Sequence, residues 1–336
     1  MIDIESDLSD ASKKRPNRIS IAQMKLSVLI CAHNPRPNYL RRVLDALQAQ
    51  TLPKQQWELL LIDNASKERL AEKWDLSWHP NARHIREDDV GLTPARLRGI
   101  KESAGGLLVF VDDDNLLEVG YLQTALNLVT EFPQIAVFGG QVSGDFETPP
   151  PSWTEPYLPM LALRSCERDS WSNDPLRFGF YPCGAGLCVT REIALKYSKS
   201  LQDDVWRRSL DRRGVELTSS GDDDIAFTAG SLGLGVGVFC RLKLTHLIPA
   251  TRLTEDYLLR LTQGLVYSGY LLRYAHGEAC KRPNRSLRWR FGMFRRSLRM
   301  SRIKRRFTQA QVRGETAAWQ TIEKLEQDKK LLSRGG

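Results

Sequence analysis

Three consecutive carboxylates, Asp112-Asp113-Asp114, close the apolar run Leu107-Leu108-Val109-Phe110-Val111, which Gly105 and Gly106 separate from the helical pattern before it. Five apolar residues, two of them β-branched, read as a buried strand. Charges on such a strand belong where it leaves the sheet, and in open α/β sheets the carboxyl ends of strands face the ligand. Like charges this close repel unless a cation or solvent screens them. Oxygen ligands of this kind suit a hard divalent ion, Mg2+ or Mn2+, with a solvated acidic turn as the alternative. A second acidic run, Asp222-Asp223-Asp224, follows Ser219-Ser220-Gly221, which caps a helix. Acids in a first helical turn meet the dipole favourably, but three exceed what capping needs, so one is a candidate general base. His246 follows a β-rich run and could complete a metal sphere or contact a diphosphate.

The elements that must position these groups alternate. Lys25–Ala32 reads as a strand. Asn38 then caps a helix to about Gln50, with Leu40, Val43, Leu44 and Leu47 as its apolar stripe. Trp57–Asn64 repeats the plan, followed by a short helix near Glu68–Trp74, a weaker strand at Arg83–Arg86 and a helix over Thr93–Ser103 with Pro94 early in it. This alternation, completed by the central strand, argues for a parallel sheet with helices on both faces. The strand ends carrying Asn34, Asp63-Asn64 and the acidic triplet should then share one edge, a polar crevice suited to a nucleotide. Arg96, in a first helical turn, is placed to grip phosphate. There is no GxGxxG after the first strand and no GxxxxGK[ST], so dinucleotide and P-loop readings have no support.

Further on, a helix is expected over Glu118–Phe132 and a strand over Ala136–Val142. Residues 145–180 hold six prolines with Trp153 and Trp171, a long irregular stretch of the kind that forms lids and binding loops. Tyr181–Thr190 reads as a glycine-bearing strand, Arg191–Ser200 as a helix, Val236–Ile248 as a strand and Thr254 to about His276 as an apolar helix.

The chain has 336 residues and a formal net charge of +9. Twelve Lys or Arg and no acid fall between Lys281 and Arg306, which leaves the remainder at about −3, so the basicity is local. Leu287, Phe291, Phe294 and Leu298 within that stretch share one helical face. A basic amphipathic helix of this kind reads as lying on an anionic membrane surface, with nucleic-acid binding as the rival and packing on the body as the plain alternative. No apolar run reaches the ~18 residues of a membrane span, and residues 1–24 lack a signal-peptide core, so a cytoplasmic place is expected. The six cysteines form no CxxC pair; Cys31, Cys188 and Cys240 sit in apolar runs, which favours buried free thiols over zinc ligands or disulfides.

Taken together, Val28 through Asn34, Leu61-Ile62-Asp63-Asn64-Ala65-Ser66, Gly91 through Ile100, Phe110 through Asn115, Cys183-Gly184-Ala185-Gly186-Leu187 and His246-Leu247-Ile248-Pro249 followed by Arg252-Leu253-Thr254 and Tyr257-Leu258 resemble the family-2 glycosyltransferases. The resemblance runs from about Leu26 to Gly264. It implies a GT-A fold: an α/β, doubly wound, mostly parallel sheet with helices on both faces, here with a basic helical C-terminal extension. The chain then divides into a leader (1–24), a transferase domain (25–250, with a nucleotide-binding half 25–115 and an acceptor-side half 116–250), an apolar helical segment (251–280) and the extension (281–336).

The family implies roles. Asp63 would contact the base of a nucleotide-diphosphate sugar, a UDP-sugar by preference, with Asn34, Asn64, Arg96, Asp112 and Asp113 also on the donor. Asp114, Asp112 and His246 would hold Mg2+ or Mn2+. The family's base lies in a Glu-Asp-x-Glu/Asp-Leu pattern. Here Gly221 stands where Glu is usual, which puts Asp222 on the base position, or Asp223 if the glycine is aligned differently; Asp224 completes the run. The implied reaction is inverting transfer to a hydroxyl of a glycan or lipid-linked acceptor in cell-surface polysaccharide synthesis, at the inner face of the cell membrane and without nucleic acid. A sugar nucleotidyltransferase is disfavoured because His33-Asn34-Pro35-Arg36-Pro37 replaces the expected Gly-rich phosphate loop. A non-catalytic scaffold is disfavoured by the intact acids.

Overall fold

The computed structural model describes residues 26–174, 181–202, 204, 206–214, 216–278, 280, 282–283 and 286–332. The leader expected over 1–24 lies outside them. Strands β1 (Leu26–Ala32), β2 (Trp57–Asn64), β3 (Ala82–Glu87) and β4 (Leu107–Asp112) form a parallel block in the order β3-β2-β1-β4. The sheet continues with β8 (Leu187–Thr190), β6 (Ile135–Phe146), β9 (Gly235–Ile248) and the short β5 (Asn115–Leu117), while β7 (Ser170–Ser172) pairs with β9. This second part is mixed: β8 runs antiparallel to β4 and β6, β6 runs parallel to β9, and β5 and β7 run antiparallel to β9.

Alternation along β1 sends its side chains to two layers. Val28 and Ile30 meet Leu40, Val43 and Leu47 of α1 (Pro37–Gln48) and Leu122 and Leu128 of α4 (Tyr121–Glu131). Leu29 faces the other way, onto Ala95 and Ile100 of α3 (Leu92–Glu102), Ile193 and Tyr197 of α5 (Arg191–Ser200), and Ile225 of α6 (Gly221–Ser231). A four-residue helix, α2 (Leu70–Lys73), follows β2. Helices thus cover both faces of the sheet, as expected.

Beyond β9, the long α7 (Glu255–Ala275) and α9 (Arg302–Leu332) pack together and add two satellite cores, with α8 (Leu287–Ser297) between them in sequence. Close approach here requires glycine: a Cβ on Gly314 would lie 2.6 Å from the Gln263 carbonyl oxygen. Among the described residues, no helix is long and apolar enough to cross a membrane.

Three local expectations are corrected. α1 starts on Pro37 after an extended Arg36, so Asn38 lies inside the first turn and caps nothing; proline at the first position supplies the start. Ser220 precedes α6 without a side-chain cap, and its Oγ is buried with no hydrogen-bond partner. Cys240 is not a free thiol but is disulfide-bonded to Cys166, 74 positions earlier, which ties the irregular segment after β6 to β9. Cys31, Cys183, Cys188 and Cys280 are free.

Candidate active site

The parallel register brings strand ends together: Ala32 lies opposite Asp63, and Cys31 opposite Asp112. β5 turns back after the acids and pairs Asn115 with His246, and the Leu247 N–H donates to the Asp114 carbonyl at 2.8 Å. His246 thereby comes beside Asp114 from 132 positions away in sequence. A cavity of about 420 Å³ opens at this edge, lined by Asn64, Arg96, Asp112, Asp113, Asp114, Asp222, Asp223, His246 and Arg252. The irregular segment contributes Met160 to Arg164.

Asp114 Oδ2 lies 3.1 Å from Arg252 Nη1 and 3.4 Å from His246 Nε2. Burial opposes its ionisation, but these two neighbours overcome burial and hold its carboxyl well below the ordinary range. Burial and then the Asp114 charge raise Asp112, and burial with both neighbouring acids pushes Asp113 up to about 8. His246 Nδ1 is 2.9 Å from the Leu161 carbonyl, which can only accept, so Nδ1 carries the proton. Nε2 is the ring nitrogen left facing Asp114 and Arg252. Carboxylate oxygen and imidazole nitrogen converge, a pair of donors of the kind a divalent ion takes, and Asp112 lines the same cavity without closing a three-ligand group with them. Arg252 reaches into the same gap, with Nη1 2.9 Å from His246 Nε2.

Asp222 Oδ2 accepts the Gly184 N–H at 2.6 Å. A Cβ on Gly184 would lie 2.8 Å from Arg96 Nη2 and 3.2 Å from Asp222 Oδ2, so this position needs its hydrogen. Arg96 is 3% exposed and donates through Nη1 to Asp211 Oδ2 at 3.0 Å. Burial works against its charge, and Asp211, Asp222 and Asp112 outweigh burial and raise the guanidinium above its ordinary value. Burial, then Asp222 and Asp211, push the Asp223 carboxyl well up. The Cys31 thiol on the wall is raised by burial to about 12, which rules it out as a nucleophile near neutral pH.

Three predicted residues are not on the cavity wall. Asp224 accepts from Arg207 Nη2 at 2.7 Å and lies 2.7 Å from His276 Nε2, fully engaged behind Asp222 and Asp223. Asp63 accepts the N–H groups of Ser66 and Leu70 at 3.0 and 3.1 Å and pairs with Arg86 at 2.9 Å, so its carboxylate organises the loop after β2. Asn34, at φ 48°, accepts the Lys67 N–H through Oδ1 and donates its own N–H to Ser66 Oγ, each at 2.9 Å. Asn64, on the wall, accepts the Gly91 N–H at 2.8 Å and so fixes the entry to α3.

Sequence reasoning missed Asp211, which sits in an irregular stretch without a motif. Its space is signalled by Gly221, where the family pattern has Glu: a Cβ there would lie 2.2 Å from Asp211 Oδ2. Asp211 thus takes the space that a side chain at 221 would fill and pairs there with Arg96. Arg252 was visible within its motif, but nothing in the spacing marked it as the partner of Asp114.

Residues 27–186 match the family model described as Glycosyl transferase family 2, a little under half of the chain. That stretch is similar to the family-2 glycosyltransferases, and the mixed sheet with its flanking helices agrees with the α/β class expected of them. Two relatives are glycosyltransferase AglE of Haloferax volcanii, 32% identical over 26% of this chain and 30% of its own length, and glycosyltransferase GlyA of Streptococcus pneumoniae, 26% identical over 35% and 17%. The chain spans less than a third of either relative. A solved structure of GalNAc-T7 with UDP, GalNAc and Mn2+ aligns with a TM-score of 0.49 at 16% identity, covering 82% of this chain and 57% of that one.

Proposed function

We propose that the chain moves a sugar from a nucleotide-diphosphate sugar to a hydroxyl of a glycan or lipid-linked acceptor, with inversion, in the building of a cell-surface polysaccharide. The observation that carries this reading is that Asp112, Asp113 and Asp114 line the same cavity as Asp222 and Asp223. Asp222 is the base: Gly184 fixes one carboxylate oxygen, and Arg96 stands beside it. It takes the proton of the acceptor hydroxyl while that oxygen attacks the anomeric carbon. The new C–O bond forms as the bond to the diphosphate oxygen breaks, and the nucleoside diphosphate leaves with the electron pair.

Arg252 and Arg212 on the cavity wall supply positive charge where negative charge develops. Arg96, held by Asp211, acts on Asp222 rather than on phosphate. Asp114, His246 and Asp112 would hold the divalent ion, Mg2+ or Mn2+, which when bound neutralises charge on the diphosphate. The segment from Pro159 to Arg164 forms the acceptor-side rim. A lipid-linked acceptor would require the enzyme at the inner face of the cell membrane, and residues 281–307 carry the charge for it.

Calorimetric titration of UDP, GDP and dTDP, with and without Mn2+, into the protein and its Asp114→Ala variant tests the reading. Tight binding of one nucleotide that needs both metal and Asp114 is expected, with UDP first in line. Failure of all three nucleotides to bind would overturn the reading in favour of a scaffold.

A further inference from the structure

The outer face of α8 is unlike any other surface of the described chain. Leu287, Phe291, Phe294 and Leu298 are 81, 62, 61 and 66% exposed, four of the eight large apolar side chains that stand out into water among the described residues. At 3.6 residues per turn they fall within about 60° of one another, so they form one continuous stripe. Scattered exposed apolar residues are ordinary, but a contiguous stripe marks a contact surface. Arginines at 288, 295, 296 and 299 flank it, and no Asp or Glu occurs anywhere between Glu278 and Glu315. On the other side of α8, Trp289 and Met293 line, with Met300 and Val312 and bordered by Phe294, a groove of about 390 Å³ against α9. The outer stripe is covered by nothing in the described chain.

We propose that this face binds anionic phospholipid, with the stripe entering among the acyl chains and the flanking arginines meeting headgroup phosphates. Charge selects the occupant: thirteen Lys or Arg without an acid between residues 279 and 314 would repel a basic partner and draw a negatively charged one. The apolar stripe selects further. A nucleic acid would satisfy the arginines but would leave Leu287 and Leu298 in water, whereas a bilayer takes both sets of groups at once. The inference stands on α8 and not on the transfer reaction.

The test is flotation of the full chain with phosphatidylcholine vesicles and with vesicles containing one third phosphatidylglycerol, at low and high salt. The variants are Phe291→Ser/Phe294→Ser and Arg295→Glu/Arg296→Glu, all exposed side chains, and nucleotide binding is measured in parallel to verify the fold. Binding to the anionic vesicles only, reduced about tenfold or more by each double variant, is the expected result. Vesicle binding that survives loss of both phenylalanines would reduce the face to a charged patch and overturn insertion. Failure to float with anionic vesicles, or preferential capture of duplex DNA from a mixture with them, would overturn the proposal outright. Vesicle binding without any nucleotide binding would instead remove the transferase reading and leave this surface intact.

Discussion

At the scale of single residues, the site is a set of carboxylates distinguished by their neighbours. Asp222 and Asp223 share a wall, yet Asp222 is oriented by a backbone N–H while Asp223 keeps its proton to higher pH because it is buried beside Asp222 and Asp211. Asp222→Asn should lower kcat by roughly 10²–10⁴-fold with little effect on nucleotide affinity, as calorimetry beside initial rates would reveal. On the proposed assignment of Asp222 as base, the kcat/KM profile should carry an ionisation above the ordinary aspartate range that Asp223→Asn removes, because burial, then Asp222 and Asp211, raise the Asp223 carboxyl. Gly221→Ala sets a Cβ against Asp211 in a site with no room for it. A loss of about 1–3 kcal/mol, read as a lower Tm with nucleotide binding also impaired, is the expected result.

At the scale of elements, α6 is aimed by what lies behind it. Asp224 joins its first turn to Arg207 before it and to His276 at the end of α7, all largely out of water. Asp224→Ala would leave the Arg207 guanidinium with Asp204 alone, 3.9 Å away, at a cost of about 1–3 kcal/mol in a denaturation series. His276→Ala leaves the Arg207 pair in place and should cost less. The Cys166–Cys240 bond fixes the far end of the loop that supplies Met160 to Arg164 to the cavity. Reduction, or Cys166→Ser, should speed proteolytic cutting within residues 147–172 while the sheet resists. Equal resistance of both forms would show that packing alone holds the loop.

The same elements explain what the sequence disclosed. Apolar runs of strand length and period-3.6 patterns made β1, β2, β4, α1, α3 and α7 legible, and with them the shared edge where Asn64, Arg96 and the first three acids gather. Asp63 and Asn34 reach that edge, but their side chains satisfy backbone N–H groups of the following loop, a competition that no spacing reveals. Asp211 and Cys166 lie in stretches without periodicity, and their partners, Arg96 and Cys240, are 115 and 74 positions away. Pairings at such range are settled by tertiary packing, after the local pattern has been used up.

At the scale of the whole molecule, the C-terminal helices belong to the body. Phe307 and Ala310 of α9 complete one satellite core with Leu258 and Leu261 of α7, and Ala318 and Ile322 complete another with Leu271 and Leu272. A chain ended after residue 280 would expose those leucines and should be recovered mostly in aggregates, as the ratio of soluble to pelleted protein would record. The stretch that matches the family model stops at residue 186, whereas Asp211, Asp222, Asp223, His246 and Arg252 all lie past it. A hybrid gene spliced at residue 186 would keep the acids of the central strand and separate them from Asp222, His246 and Arg252, which line the same cavity. The two halves must be inherited as one.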